Sequence, residues 1–279
     1  IENVNEKMLA SMMVGREVLF DNIEKTGSPG DVFIEADDLY VADNRGLMAV
    51  NGISLKVRAG EILGIAAIEG NGQSELAEAL TGMRPVEKGN FFIGGVSAAG
   101  KGPREVRKLG LAHIPEDRIA TGAAMPSSIA ENMIIGKERR KEFSAAWIQL
   151  RRASVNRYAQ ELFKKFDIRG AGIDTEVGSL SGGNMQKVIF AREMEADPDL
   201  LIEAQPTRGV DIGAIESIHH KIIEVRDSNR GVLLVSAALD EILSLSDRIL
   251  VLYEGEIMAE FKRGQADERT IADNITIPQ

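Results

Sequence analysis

A chain of 279 residues, 44% of them hydrophobic, can bury a large core as one domain or as one domain with a subdomain. It holds no cysteine, which excludes disulfides and suits a reducing compartment. No apolar run nears the roughly 20 residues that cross a bilayer, so any membrane link runs through another subunit. The net charge of -10 speaks against a nucleic-acid groove, since phosphate-backbone binders are usually basic.

The N-terminus carries no signal-peptide pattern. Asn5 to Met13 reads as a short helix closed by Gly15, and Asp21 to Asp31 as a polar linker. Because the chain opens on Ile1 and not Met, residues 1–30 read as a connector following a segment that lies upstream. Strands are predicted at Val32–Ala36 and Ile53–Val57. The apolar strand Glu61–Ala66 then runs into Ala67-Ile-Glu-Gly-Asn-Gly-Gln73-Ser74, followed by a helix with Leu76, Ala77 and Leu80 that ends at Gly82. Strand, glycine loop and helix form the setting of a phosphate-binding P-loop, GxxxxGK[ST]. Ala67 replaces the first glycine and Gln73 the lysine. Charge-assisted hydrogen bonds contribute about 1.5–3 kcal/mol against about 1 for neutral ones, so binding by Gly70, Asn71, Gly72, Gln73 and Ser74 is weakened rather than forbidden. The plain alternative is an ordinary β-loop-α turn.

Further strands are predicted at Asn90–Ile93 and Leu111–Ile114, the latter leading into Pro115-Glu116-Asp117-Arg118. Residues from about 120 to 178 read as helical. Ser128-Ile-Ala-Glu131 is a capping box, and Val155, Tyr158, Ala159, Leu162 and Phe166 mark one apolar face. The basic cluster Lys137, Arg139, Arg140, Lys141, Arg151 and Arg152 reads as a solvated or partner-facing helix surface. At Leu180-Ser-Gly-Gly-Asn-Met-Gln-Lys187, Ser181 takes the N-cap place of a helix over Asn184–Ala196, with Val188, Phe190, Ala191 and Met194 available for burial. A helix N-terminus preceded by glycines offers N–H groups and a positive dipole end to an anion.

Asp199–Glu203 reads as a buried strand followed by Ala204-Gln205-Pro206-Thr207. A helix over Ala214–Asp227 carries Ile215, Ile218, Ile222 and Val225 on one face. His219 and His220 also lie on it, with no cysteine or second ligand cluster that would suggest a metal. Gly231–Ser236 is a buried-type strand ending at Ala237-Ala238, and Ile249–Tyr253 with Glu256–Glu260 reads as a closing hairpin.

Leu180, Ser181, Gly182, Gly183 and Gln186 match LSGGxxQ, the signature of ATP-binding-cassette (ABC) ATPases, which this chain resembles. With Gly70–Leu76 (GNGQSEL), Ile114–Arg118 (IPEDR) and Ala204–Ala214 (AQPTRGVDIGA), the likeness spans nearly the whole chain. It resembles the second half of the tandem ATPases that power bacterial simple-sugar and nucleoside importers, with GNGQ and AQPT looking more like the nucleoside-type branch than the ribose branch. The resemblance implies an α/β nucleotide-binding domain over 31–279, with a RecA-like P-loop core, an antiparallel β subdomain and a helical signature subdomain at about 120–180. It also implies that the ATP site is dismantled in cis. Ala204 stands where the family's aspartate steadies magnesium, Gln205 where its glutamate acts on the attacking water, and Ala237 where its histidine meets the γ-phosphate. General-base assistance is typically worth 10²- to 10⁴-fold in rate, and an amide does not supply it. Glu203, one residue earlier, faces the other side of the strand. The adenine-stacking aromatic expected near Asp43-Asn44-Arg45 is missing, Tyr40 being several residues away. Glu116 falls at the coupling position of the Q-loop and Asp211 in the D-loop.

In this family two cassettes pack head to tail around ATP. Ser181, Gly182, Gly183 and Gln186 are therefore expected to serve ATP and Mg2+ held mainly by a partner cassette, with little or no ATPase activity from this chain alone. The implied partners are the other cassette, transmembrane permease subunits and, indirectly, a substrate-binding protein, at the cytoplasmic face of the membrane, with no nucleic acid. Two other readings remain: a self-sufficient ABC ATPase, and an ABC protein acting on nucleic acid. The latter needs basic surfaces or long coiled coils, and about 107 residues without sustained heptads separate Ser74 from Ser181.

Overall fold

The structure is a computed structural model that describes residues 29–145, 149–210 and 212–276. The expected Asn5–Met13 helix, most of the Asp21–Asp31 linker and Asp211 lie outside those residues.

Two long strands open the fold, β1 (Val32–Ala42) and β2 (Met48–Arg58), paired antiparallel. Both are longer than their alternation suggests. In β1 the buried residues are Ile34, Ala36, Leu39 and Val41, so the period of two slips by one at Asp37-Asp38. Asp38 has φ +50, and the register shifts there against both neighbouring strands. Such an irregularity inserts a residue without ending the strand, which is why the polar Asp-Asp pair resembles a terminus in sequence. β4 (Lys88–Ile93) and β5 (Val96–Ser97) complete a four-stranded sheet in the order β2-β1-β4-β5.

β3 (Ile62–Ala66), β9 (Leu200–Ala204) and β10 (Gly231–Ser236) are buried along their whole length, as strands covered on both faces must be. They lie in a six-stranded sheet, β12-β11-β3-β10-β9-β6, with β6 at Leu111–Ile114, β11 at Arg248–Tyr253 and β12 at Glu256–Lys262. β9, β10, β3 and β11 run parallel, and β12 returns antiparallel. The helix after β3, α1 (Gln73–Leu80), adds Leu76, Ala77 and Leu80 to a core shared with Ile34, Leu39, Val50, Ile65, Ile202 and Leu233. α2 (Pro103–Lys108) precedes β6. The C-terminal ends of β3, β9 and β10 lie side by side, with Ser236 opposite Ala66 and Val235 opposite Ala204.

Residues up to His113 and from Asp199 onward form one compact unit, and Ile114–Pro198 a second. The second corrects the helical expectation for 120–178. It contains a π-helical turn at Arg118–Gly122, the five-residue α3 (Ile129–Met133), the short pair β7 (Ser144–Ala145) and β8 (Gln149–Leu150), α4 (Arg152–Lys165) and a 3₁₀ turn at Val177–Ser179. Glycines in left-handed conformations, Gly136 at φ +80 and Gly172 at φ +144, break the chain between them. Only α4 keeps a sustained apolar face, with Val155, Ala159 and Leu162 buried. The capping box closes as read, Glu131 N–H donating to Ser128 Oγ and Ser128 N–H to Glu131 Oε2.

One member of the basic cluster departs from a solvated surface. Lys137 is buried, its Nζ donating to Tyr158 Oη at 2.7 Å and to the Arg192 carbonyl at 3.2 Å. Its four methylenes reach the interior and its charge ends on oxygen atoms there. Arg139, Arg140, Lys141, Arg151 and Arg152 are exposed.

Candidate functional site

The loop between β3 and α1 is built from backbone close approaches. Gly70 and Gly72 have φ of +90 and +96, conformations that L side chains rarely adopt. A Cβ on Gly72 would collide with the Ala49 carbonyl of β2, and Gly255 in the β11–β12 turn backs onto the same carbonyl. Asn71 staples the loop to that turn: its Oδ1 accepts from Glu254 N–H at 2.8 Å and its carbonyl from Gly255 N–H at 3.0 Å. Asn71 Nδ2 donates to the Ile68 carbonyl at 3.0 Å. Asn51 closes the group, donating from Nδ2 to the Glu254 carbonyl and from its N–H to Gly255.

Gln73 opens α1 and is only 2% exposed. Its Oε1 accepts the Asn71 N–H at 3.0 Å. The side chain at the lysine position thus turns back on its own loop and takes one of the N–H groups that a P-loop offers to phosphate. Ser74 follows, half-buried. Glu69 adds a negative charge to the loop, paired with Arg208 at 3.1 Å on the exposed surface.

Across the parallel sheet, Ala204 ends β9 and is 5% exposed. Gln205 follows at φ +49, a left-handed conformation held by its N–H donating to the Val235 carbonyl at 2.7 Å. Its Oε1 accepts the Ala237 N–H at 3.2 Å. The residues at the family's glutamate and histidine positions are therefore in direct contact, through a backbone N–H. Gln205 Nε2 is buried with no hydrogen-bond partner among the described residues. Glu203 is fully buried and lies opposite Leu234, alternating with Ala204. At the end of β9 Ala204 presents a methyl and Gln205 an amide, neither of which offers a carboxylate to magnesium, while the β3–α1 loop leads into the Ser74 hydroxyl.

The β1–β2 turn around Asp43-Asn44-Arg45, where an adenine-stacking aromatic is expected, is closed on itself. Arg45 pairs with Asp43 at 2.7 Å, and the N–H groups of Arg45 and Leu47 donate to Asp43 Oδ1. The Arg45 guanidinium, helped by the Leu47 N–H, holds the Asp43 carboxyl below the ordinary carboxylate range. Tyr40 is a sheet residue under the Lys88 ammonium, 4.5 Å from ring to nitrogen.

The signature helix, α5, spans Gly182–Met194 in the second unit. Ser181 is its exposed N-cap, Oγ accepting from Asn184 N–H at 3.5 Å and from Asn184 Nδ2 at 3.0 Å. The helix starts two residues earlier than read, because an N-cap at Ser181 makes Gly182 the first helical residue. Gly182 is half-buried and Gly183 buried, so the N-terminus presents backbone N–H groups beside the Ser181 hydroxyl. Gln186 stands apart from the other signature residues. It is 2% exposed and its Oε1 accepts from Arg118 Nη1 at 3.4 Å. Glu116, half-buried, lies two residues from that arginine in the same turn.

Sequence reading missed the Asn71 staple, the Gln73 and Gln205 contacts and the Arg118–Gln186 bond. Gly255 was one available signal, since a glycine in a hairpin turn permits close backbone approach.

Comparison with known proteins agrees with this architecture. The ABC transporter family model matches residues 50–208. The guanosine import ATP-binding protein NupO of Bacillus subtilis is 42% identical over 97% of this chain and 53% of its own length. A glucose import ATP-binding protein of Haloferax volcanii is 42% identical over 98% of this chain and 50% of its own. The chain thus spans about half the length of the curated relatives it matches. The crystal structure of a nucleotide-free ATP-binding cassette from an ABC transporter superposes with a TM-score of 0.71 at 20% identity, covering 89% of this chain and 96% of that one. The fold is therefore the α/β cassette with its antiparallel β subdomain, and the chain belongs to the ABC transporter family.

Proposed function

We propose that this chain is the non-catalytic half of a tandem ATP-binding subunit in an importer for nucleosides or sugars. Its signature would complete an ATP site whose Walker motifs lie on a partner cassette. The observation that carries this reading is the contrast within one chain between two loops. The N-terminus of α5, with Ser181 exposed and Gly182 free of a side chain, keeps everything a signature offers to phosphate. The β3–α1 loop and the ends of β9 and β10 have no metal carboxylate, no general base and no lysine.

The solute class rests on the names of the relatives, a guanosine importer and a glucose importer at equal identity, which favours the pair of classes without choosing between them. Permease subunits and a substrate-binding protein follow from the same reading, at the membrane's cytoplasmic face, with Glu116 in the coupling role and Asp211 in the D-loop reaching toward the partner cassette. ATP and Mg2+ would be held mainly by the partner's motifs. A self-sufficient ATPase is disfavoured by Ala204, which has no side-chain carboxylate with which to anchor magnesium.

The test is ATP hydrolysis by this chain mixed or fused with a cassette whose Walker motifs are intact. Turnover is expected from the pair and at background from this chain alone, and Ser181→Arg should abolish it. Turnover by the pair that ignores Ser181→Arg would refute the composite site.

A further inference from the structure

Lysine carries three donors and no acceptor, whereas glutamine has a carbonyl oxygen that can accept. The exchange of one for the other at position 73 therefore inverts the role of the side chain toward its own loop. A lysine there can only compete for acceptors such as phosphate oxygens. Gln73 instead takes a donor, the Asn71 N–H at 3.0 Å, from a position 2% exposed to solvent. With that bond every backbone and side-chain polar group of Asn71 is satisfied by protein. Its N–H is held by Gln73, its Nδ2 by the Ile68 carbonyl, its Oδ1 by Glu254 N–H and its carbonyl by Gly255 N–H. At the neighbouring strand ends the Gln205 carbonyl holds the Ala237 N–H at 3.2 Å.

We propose that Gln73 and Gln205 are internal ligands of this chain's own dismantled site. Gln73 withholds the Asn71 N–H from phosphate, and Gln205 ties the loop after β10 to the end of β9. The loops are kept in place with no nucleotide bound. A nucleotide that binds such loops would stabilise them by mass action. Here two amide side chains supply the ordering permanently, so this half gives its partner a surface that does not change with its own nucleotide state. Gln73 acts as a competitor of phosphate and not as a weak substitute for lysine.

The inference rests on reading residues 67–74 as a relinquished P-loop and is independent of the signature. Its test reads only the loop. Amide hydrogen exchange at Asn71 and Ala237 is followed in this chain with and without tripolyphosphate, for wild type, Gln73→Ala, Gln73→Met and Gln205→Ala. The methionine variant keeps the buried volume and removes the acceptor. Wild type should protect Asn71 with no ligand, and tripolyphosphate should leave that protection unchanged. Both Gln73 variants should exchange Asn71 about fivefold faster, the equilibrium equivalent of about 1 kcal/mol. Gln205→Ala should do the same at Ala237. In Gln73→Ala, tripolyphosphate should restore protection and bind several-fold more tightly than to wild type.

Weaker tripolyphosphate binding by Gln73→Ala would overturn the proposal, because Gln73 would then be a phosphate ligand. An unprotected Asn71 in wild type, or no exchange response in Gln73→Met, also overturns it. So does faster exchange without any gain in tripolyphosphate binding, since the N–H was then never withheld from phosphate. Failure of any of these leaves the Ser181 dependence of the paired ATPase intact, and failure of that dependence leaves the exchange pattern intact.

Discussion

Gln205 has the shape of a glutamate and lacks its chemistry. An amide oxygen cannot take the proton of an attacking water, so on the proposed reading this position forgoes general-base assistance of about 10²- to 10⁴-fold. Restoring it alone should not restore turnover. Ala204, one residue before, contributes a methyl where a metal's carboxylate is needed. The chain by itself should therefore hydrolyse ATP at background, and Gln205→Glu should leave it there. A steady-state phosphate-release assay in millimolar ATP and magnesium checks both, and robust turnover that Gln73→Ala abolishes would contradict them. Nucleotide binding should be weak and nearly independent of magnesium, since Ser74 is the remaining motif oxygen for the ion. Calorimetry that found sub-micromolar ATP affinity destroyed by EDTA would count against this.

The signature helix is braced from inside its own unit. Lys137 reaches across to Tyr158 on α4 and to the Arg192 carbonyl on α5, and the rings of Phe143 and Tyr158 pack 4.9 Å apart. Lys137→Ala removes a charged donor and leaves a buried hydroxyl and carbonyl short of a partner, which should cost about 1–3 kcal/mol in denaturant unfolding. Burial pushes the Tyr158 hydroxyl up to about 12, with Glu195 adding to the shift. A phenol whose folded pKa is raised contributes stability that is whole below the unfolded value near 10, and that stability is lost as pH rises through the folded value. Melting temperature should thus fall between about pH 10 and 12 more steeply in wild type than in Tyr158→Phe, and equal slopes would disprove the assignment. Elements with one dominant pattern, such as α4 and the buried strands β3, β9 and β10, were legible from sequence. β1 was cut short because the slip at Asp37-Asp38 resets its alternation. Residues 120–178 were over-read as helix because capping boxes and short apolar runs were given more weight than the glycines between them.

For the whole molecule, sequence singled out positions and could not show what their side chains do. Motif spacing drew attention to Gln73, Ala204, Gln205 and Ala237, because each stands at a fixed offset in a strand–loop–helix pattern. That Gln73 accepts from Asn71, or that Gln205 meets Ala237, depends on side-chain direction and on contacts such as those of Asn71 with the turn at Glu254-Gly255, 183 residues away in the case of Glu254. Gln186 shows the same limit: the motif match placed it with the signature, and its burial and its contact with Arg118 became visible only in the structure. The division of labour between the two loops leads to the decisive transport experiment. On the proposed reading, Ser181→Arg and Gly182→Asp should each abolish uptake by the complete importer, with no hydrolysis asked of this chain. Ser181 is exposed at the positive end of α5, so an arginine there would hold a partner cassette away by bulk. An aspartate at Gly182 would set a carboxylate against the γ-phosphate that the helix end is disposed to receive. Both changes sit at the first turn of the helix, where Ser181 contributes only a cap, so the cost in folding should stay near 1 kcal/mol and the protein should remain assembled. Gln73→Ala loosens a loop that the proposed reading places outside the hydrolytic site, and should leave uptake much nearer the wild-type rate than either signature variant does. Radiolabelled solute uptake in vesicles, with assembly checked by co-purification, compares the three variants directly. Normal uptake by the signature variants beside a dead Gln73→Ala would mean that the roles of the two loops are reversed.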